Sequence, residues 1–246
     1  MSKYTQEIRN FINEPRKQFN LLKNPKFWNQ LCSSLDVIED SDLAIDAYIN
    51  SEFGKDDGEK YLSLYGVLQA LFLQQDAVTN LCESLGLTNN LIVNPKLKEI
   101  RDIRNDSIGH PTKRGNYKSY HFISRVTIKK FGFQLISDYE NNKTTIRDIS
   151  VIDLINEQRK DLSEILKKVI NDLQGEEKAH KEMFKMEKLE AVFPDTFTYY
   201  IGNIFENIGK PDRAQLGLMH VKLVKEIMGK LKEALQKRDI ELGTYD

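Results

Sequence analysis

Apolar positions recur at three- and four-residue spacing over most of this chain, the signature of helices that bury one stripe. The clearest case runs from Glu59 to about Leu85, where Leu64, Val67, Leu68, Leu71, Ala77, Val78, Leu81 and Leu85 share a face before Gly86 ends the element. Upstream, the pattern predicts one helix in "NPKFWNQLCSSLDVIED" and another in "SDLAIDAYINSEF", with Ser41 as the N-cap of the second and Gly54 beyond its end. "GKDDG" reads as a loop, and so does "GLTNNLIVN". Pro95 then opens "PKLKEIRDIRNDSI", whose Leu97, Ile100, Ile103 and Ile108 face inward, and Gly109 and Pro111 stop it.

The pattern then changes period. "SYHFISRVTIKKFGFQLISDYENNKTTIRDI" is rich in β-branched and aromatic residues, alternates in places and contains the turn signal "ENNKT", so it reads as two or three antiparallel strands. From Val151 to about Phe193 a helical stripe returns, through Val151, Ile155, Leu162, Leu166, Val169 and Leu173, with Gly175 as its candidate break. A last helix is predicted from about Asp212 to Gln236, after the stretch "FPDTFTYYIGNIFENIGKP". The expected fold is mainly α, a helical bundle with a small antiparallel β insertion and long C-terminal helices. Its divisions are 1–115 helical, 116–149 a hairpin or small sheet, and 150–246 a helical region packed back on the first.

With 246 residues and 40% hydrophobic side chains, such a chain can bury a sizeable core. Its longest apolar run, "YGVLQALFL", contains Gln69 and is too short to cross a bilayer, and "MSKYTQEIRNF" has no export signal, so the expectation is a cytoplasmic protein without a membrane partner. Cys32 and Cys82 stand in apolar helical surroundings without metal-ligand spacing and read as free thiols. A net charge of −1 excludes a uniformly basic nucleic-acid coat, yet from Lys96 to Lys118 seven basic side chains (Lys96, Lys98, Arg101, Arg104, Lys113, Arg114, Lys118) face three acidic ones (Glu99, Asp102, Asp106).

Phosphate-binding loops of the Walker and dinucleotide types, H-E-x-x-H and G-x-S-x-G are all absent from the sequence. Glu177 and His180 form one E-x-x-H, but a di-iron bundle needs two plus further glutamates, and "EEKAHKEMFKMEK" reads as a solvated charged face. His220 lies in an apolar helical pattern and His121 in a strand, and both read as packing residues. Arg104, Asn105 and His110 remain, in "RNDSIGHP". They read either as late-helix surface residues, with His110 favoured as a cation at a helix C-terminus, or as a site.

"RNDSIGH" resembles the R-x(4 to 6)-H signature, with a polar residue after the arginine, of the HEPN domains. These are helical modules of prokaryotic toxins, abortive-infection proteins and RNA-cleaving effectors. The resemblance covers about residues 20–115. It implies a metal-independent endoribonuclease with no cofactor, acting on single-stranded RNA at a composite site between two copies of the chain, under an antitoxin or an activating partner. In that reading His110 is base or acid, Arg104 holds the scissile phosphate, Asn105 orients the histidine or the phosphate, and Arg101, Lys113, Arg114 and Lys118 bind RNA. Thr112 stands where some HEPN toxins carry a tyrosine modified by an AMP-transferring antitoxin, which argues against that form of control. The competing reading is a non-catalytic HEPN-like dimeric scaffold or nucleotide-binding module.

Overall fold

In the computed structural model of the chain, residues 1–87, 94–114, 118–141, 143–207 and 209–240 are described. The described residues are mainly helical, with one small sheet. They separate into two compact units, the first comprising residues 1–10 and 24–172 and the second 11–23 and 173 onward. Among the described residues no helix is long and apolar enough to cross a membrane.

The first unit is built on α3 (Pro25–Asn50) and α4 (Asp57–Ser84). Gln30, near the start of α3, donates to Glu83 at the end of α4, so the two run antiparallel. Leu31, Leu35, Ile38 and Ile45 of α3 and Leu64, Leu68, Leu71 and Leu81 of α4 are buried between them and their neighbours. The break expected at Ser41 is absent, and α3 continues through it. Ser41 is buried mid-helix and its hydroxyl donates back to the Val37 and Ile38 carbonyls at 2.6 and 3.0 Å, a bond that satisfies a polar side chain without ending a helix. The stripe Leu35, Ile38, Ile45 runs unbroken past it, so tertiary burial overrides the local cap signal. The N-cap of α4 is Asp56, which accepts from Glu59 N at 2.9 Å. Residues 88–93 of the loop expected before Pro95 lie outside the described residues.

Helix α5 (Pro95–Arg104) packs on α4 through Leu97, Ile100 and Ile103, while Ile108, beyond its end, is half-buried. The strands are β1 (Ser119–Ile123), β2 (Gly132–Tyr139) and β3 (Thr144–Ser150), in an antiparallel sheet of order β1-β2-β3. The chain then enters α6 (Val151–Met183), which is continuous through Gly175. A glycine in a helix interior weakens it by about 1 kcal/mol, too little to stop a helix of this length.

A buried amide cluster ties α6 to α4. Gln158 Nε2 donates to the Leu71 carbonyl and to Gln74 Oε1, both at 3.0 Å, and Gln158 Oε1 accepts from Gln75 Nε2 at 2.8 Å. Gln158 and Gln74 are fully buried, so these bonds replace water that cannot enter.

The second unit contains α2 (Pro15–Leu22), the C-terminal part of α6, α7 (Phe197–Asn207) and α8 (Ala214–Gln236). Helix α7 occupies the stretch left without an element by the spacing rules. Its apolar face closes on α8, where the buried His220 is flanked by Tyr199 and Tyr200 and donates from Nδ1 to the Leu216 carbonyl. Glu177 is paired with Arg16 and Lys181, and His180 lies against Phe184. Replacing Gln158 by alanine strands the Gln75 side-chain amide and the Gln74 side-chain oxygen in the core. Urea unfolding should register a loss of about 3 kcal/mol, and a loss under about 1 kcal/mol would mean that the cluster does not hold α6.

Candidate functional site

Helix α5 ends at Arg104, and the next five residues, Asn105–Gly109, form a single π-helical turn closed by His110 N–H donating to the Asn105 carbonyl at 2.8 Å. Such one-turn insertions rotate the following residues relative to an α-helix and occur often at functional sites. Here the turn buries Asp106 and Ser107 and leaves His110 exposed.

The Arg104 side chain folds back over α4. Its Nε and Nη2 both donate to Gln69 Oε1, at 3.2 and 2.6 Å, and its Nη1 donates to Asn105 Oδ1 at 3.0 Å. The guanidinium carbon lies 4.2 Å from the centroid of the Phe72 ring. Gln69, Phe72 and Asp76 fall on one face of α4 at helical spacing, and Arg104 and Arg101 fall on the facing side of α5, so the two arginines dock along a single ladder. Arg101 pairs with Asp76 and also lies over Phe72, at 4.4 Å.

The two arginines differ in what holds them. Arg101 meets a carboxylate. Both oxygen acceptors of Arg104 are neutral amides, and among the described residues it forms no ion pair. Burial pushes its pKa below the ordinary arginine value, and the nearby Arg101 pushes the same way, against Asp76. Arginine stays protonated under such a shift, so the charge is fixed, partly desolvated and not neutralised in contact. Three of the five guanidinium N–H bonds have acceptors among the described residues, which leaves two for a ligand.

Gly109 permits this arrangement. A Cβ there would lie 2.6 Å from Arg104 Nη1 and 3.1 Å from Asn105 Oδ1, so any side chain would displace the guanidinium from the turn.

Beneath the turn, Asp106 is the centre of a buried charged cluster. It pairs with Arg114, with Arg147 of β3 at 3.4 Å, and lies 3.6 Å from His121 Nε2 of β1. His121 also contacts Ser137 and Ser119, at 2.8 and 2.9 Å. Arg114 additionally donates to the Asp102 carboxylate at 2.7 Å and to its carbonyl at 3.2 Å. Burial pushes the His121 pKa down; Asp106 opposes this, while Arg114 and Arg147 add to it.

The seven residues singled out in the sequence therefore separate. Arg104 and Asn105 bond to each other, and His110 follows on the same turn. Arg101 and Arg114 are ion-paired, to Asp76 and to Asp102 and Asp106. Lys113 and Lys118 are exposed. The local basic excess is thus partly balanced by carboxylates from elsewhere, Asp76 of α4 and Glu157 of α6, the latter paired with Lys96. Gln69, Phe72, Asp106 and Arg147 escape the linear pattern, although Gln69 is visible as a polar interruption of an apolar run. Among the described residues no group of three or more His, Cys, Asp or Glu side chains is gathered to hold a metal.

Two outcomes test this geometry. Gly109→Ala should shift the Arg104 Nε–H resonance in nitrogen-15 spectra as strongly as Gln69→Ala does, while the protein stays folded; an unmoved resonance contradicts the docking. A depressed folded-state pKa at His121 means that the unfolded chain binds the proton more tightly. The associated stability is present above pH 6.5 and is lost as the pH falls from there through the lower folded value. Urea unfolding across this range should show a steeper acid loss in the wild type than in His121→Gln, and parallel profiles would contradict it.

No protein-family model, curated protein or solved structure matches the chain.

Proposed function

We propose that the chain is a HEPN-type endoribonuclease that cleaves single-stranded RNA without a metal, at a composite site formed by two copies. One observation carries this reading: a fixed guanidinium with only neutral acceptors, on the same turn as an exposed imidazole. A cation paired with a carboxylate must break that pair to bind a phosphate, as Arg101 and Arg114 would have to. Among the described residues Arg104 has no such pair to break, and its two remaining N–H bonds suit two non-bridging oxygens of a phosphodiester.

The chemistry follows from the substrate's own 2′-hydroxyl. A base removes its proton, the oxygen attacks the adjacent phosphorus, and the 5′-oxygen of the next nucleotide leaves with a proton from an acid. The products are a 2′,3′-cyclic phosphate and a 5′-hydroxyl. One imidazole cannot be base and acid in the same step, so His110 of one copy takes the proton and His110 of the partner copy supplies the other. Arg104 stabilises the charge that grows on the non-bridging oxygens, and Asn105 holds Arg104 from the opposite side to Gln69. Arg101 and Arg114 act as framework, and the exposed Lys113 and Lys118 meet the RNA backbone. A cytoplasmic setting, and an antitoxin or activator that governs the activity, belong to the same proposal.

Purified protein in a metal chelator should cut single-stranded RNA and leave DNA of the same sequence intact. His110→Ala and Arg104→Ala should each lower the rate by about 10²- to 10⁴-fold with the fold retained. Arg104→Lys, which keeps the charge and loses the fork, should also fail. RNA left whole under every condition would favour the scaffold reading, and DNA cutting that needs a metal would contradict the mechanism.

A further inference from the structure

The outer face of the sheet takes no part in the site above. In β1, Ser119, His121 and Ile123 are buried while Tyr120 and Phe122 are 42% and 49% exposed. The ladder sets Phe122 opposite Ile136, and Ile136 opposite Ile146, which is 61% exposed. One aromatic and aliphatic row therefore crosses all three strands, with Tyr120 beside it. The two carboxylates of this face lie in the flanking rows, where Asp138 accepts from Thr144 and Asp148 from Gln134.

This face adjoins the candidate base through the backbone. The free edge of β1 is taken by the segment after His110, since His121 N donates to the Pro111 carbonyl at 2.7 Å and Arg114 N to the Ser119 carbonyl at 3.2 Å. His110 thus immediately precedes the segment that lies on the edge of the strand carrying Tyr120 and Phe122. The segment that leads into and out of β1 is basic. From Ser107 to Ser137 the sequence has no Asp or Glu, against Lys113, Arg114, Lys118, Arg125, Lys129 and Lys130, of which Arg114 is already paired with Asp102 and Asp106. Lys118 and Arg125, both exposed, bracket β1.

We propose that this face is a stacking platform for the bases of single-stranded RNA, with the phosphates running along the β1 edge past Lys118 toward His110. Exposed rings on an open sheet face offer π-faces that any unpaired base can cover, and the flanking cations Lys118 and Arg125 match a polyanion. The proposal takes the identity of the nucleic acid from the ribonuclease reading, but it predicts binding rather than cleavage.

The test uses the 246-residue chain carrying His110→Ala, which cannot complete the proposed reaction, and a fluorescein-labelled oligouridine read by anisotropy. Tyr120→Leu with Phe122→Leu keeps apolar area and removes the rings, and it should raise Kd by at least about tenfold. Tyr120→Phe with Phe122→Tyr should restore it, and duplex RNA, whose bases are already stacked, should compete poorly. Unchanged affinity in the leucine protein, equal competition by duplex, or no binding by the parent protein overturns the platform. So does a change of oligomeric state in the leucine protein with RNA affinity unaltered, which would make another copy the occupant. Ring-dependent binding by a wild type that leaves RNA uncut would sink the nuclease reading alone, and RNA cut with unchanged affinity would sink the platform alone.

Discussion

The arrangement of the first unit around residues 104–110 depends on how one positive charge is held. Arg104 is pressed on Phe72 and fixed by the oxygens of Gln69 and Asn105. A carboxylate in place of Gln69 would bind the guanidinium more strongly and neutralise it. Amides give orientation while leaving the charge uncompensated, at a desolvation cost visible in the direction of its pKa shift. An anion at the two remaining N–H bonds would relieve that cost, and this is the physical basis for treating the turn as a site.

The rest of the unit supports the geometry. The buried amide cluster of Gln74, Gln75 and Gln158 fixes α6 on α4, and α4 presents Gln69 and Phe72 to α5. Gly109 lets the guanidinium lie against the turn. Asp106 anchors the turn from below through Arg114 and Arg147, which joins it to the sheet. The polar cluster at Asp106 is closed by opposite charges, while Arg104 is left open. That contrast separates framework from candidate chemistry more sharply than residue type does.

Much of this fold is legible in the sequence, because long amphipathic stripes are insensitive to detail. The stripes of α4 and α6, the Pro95 start of α5 and the period change at the sheet all appear in the apolar pattern. Ser41 misleads because its hydroxyl bonds to its own helix, and Gly175 because one glycine is a small penalty in a long helix. Helix α7 is hidden by a dense apolar and aromatic composition that masks its period. In the site, Arg104, Asn105 and His110 are legible through their spacing alone. The part played by Gln69 and Phe72 is not, since the contact between helices leaves no local trace beyond a glutamine that interrupts an apolar run. The charge excess around the motif is legible as composition, but its partial cancellation by Asp76 and Glu157 is a tertiary fact.

The central claim is that Arg104 is held ready for a phosphodiester. It is tested most directly by a crystal structure of the His110→Ala protein with an RNA whose 2′-hydroxyls are methylated, and which therefore cannot attack. The account predicts a backbone phosphate with two oxygens within hydrogen-bond distance of Arg104 Nη1 and Nη2, while Gln69 and Asn105 keep their places. RNA bound elsewhere, with Arg104 touching only its two amides, would contradict it.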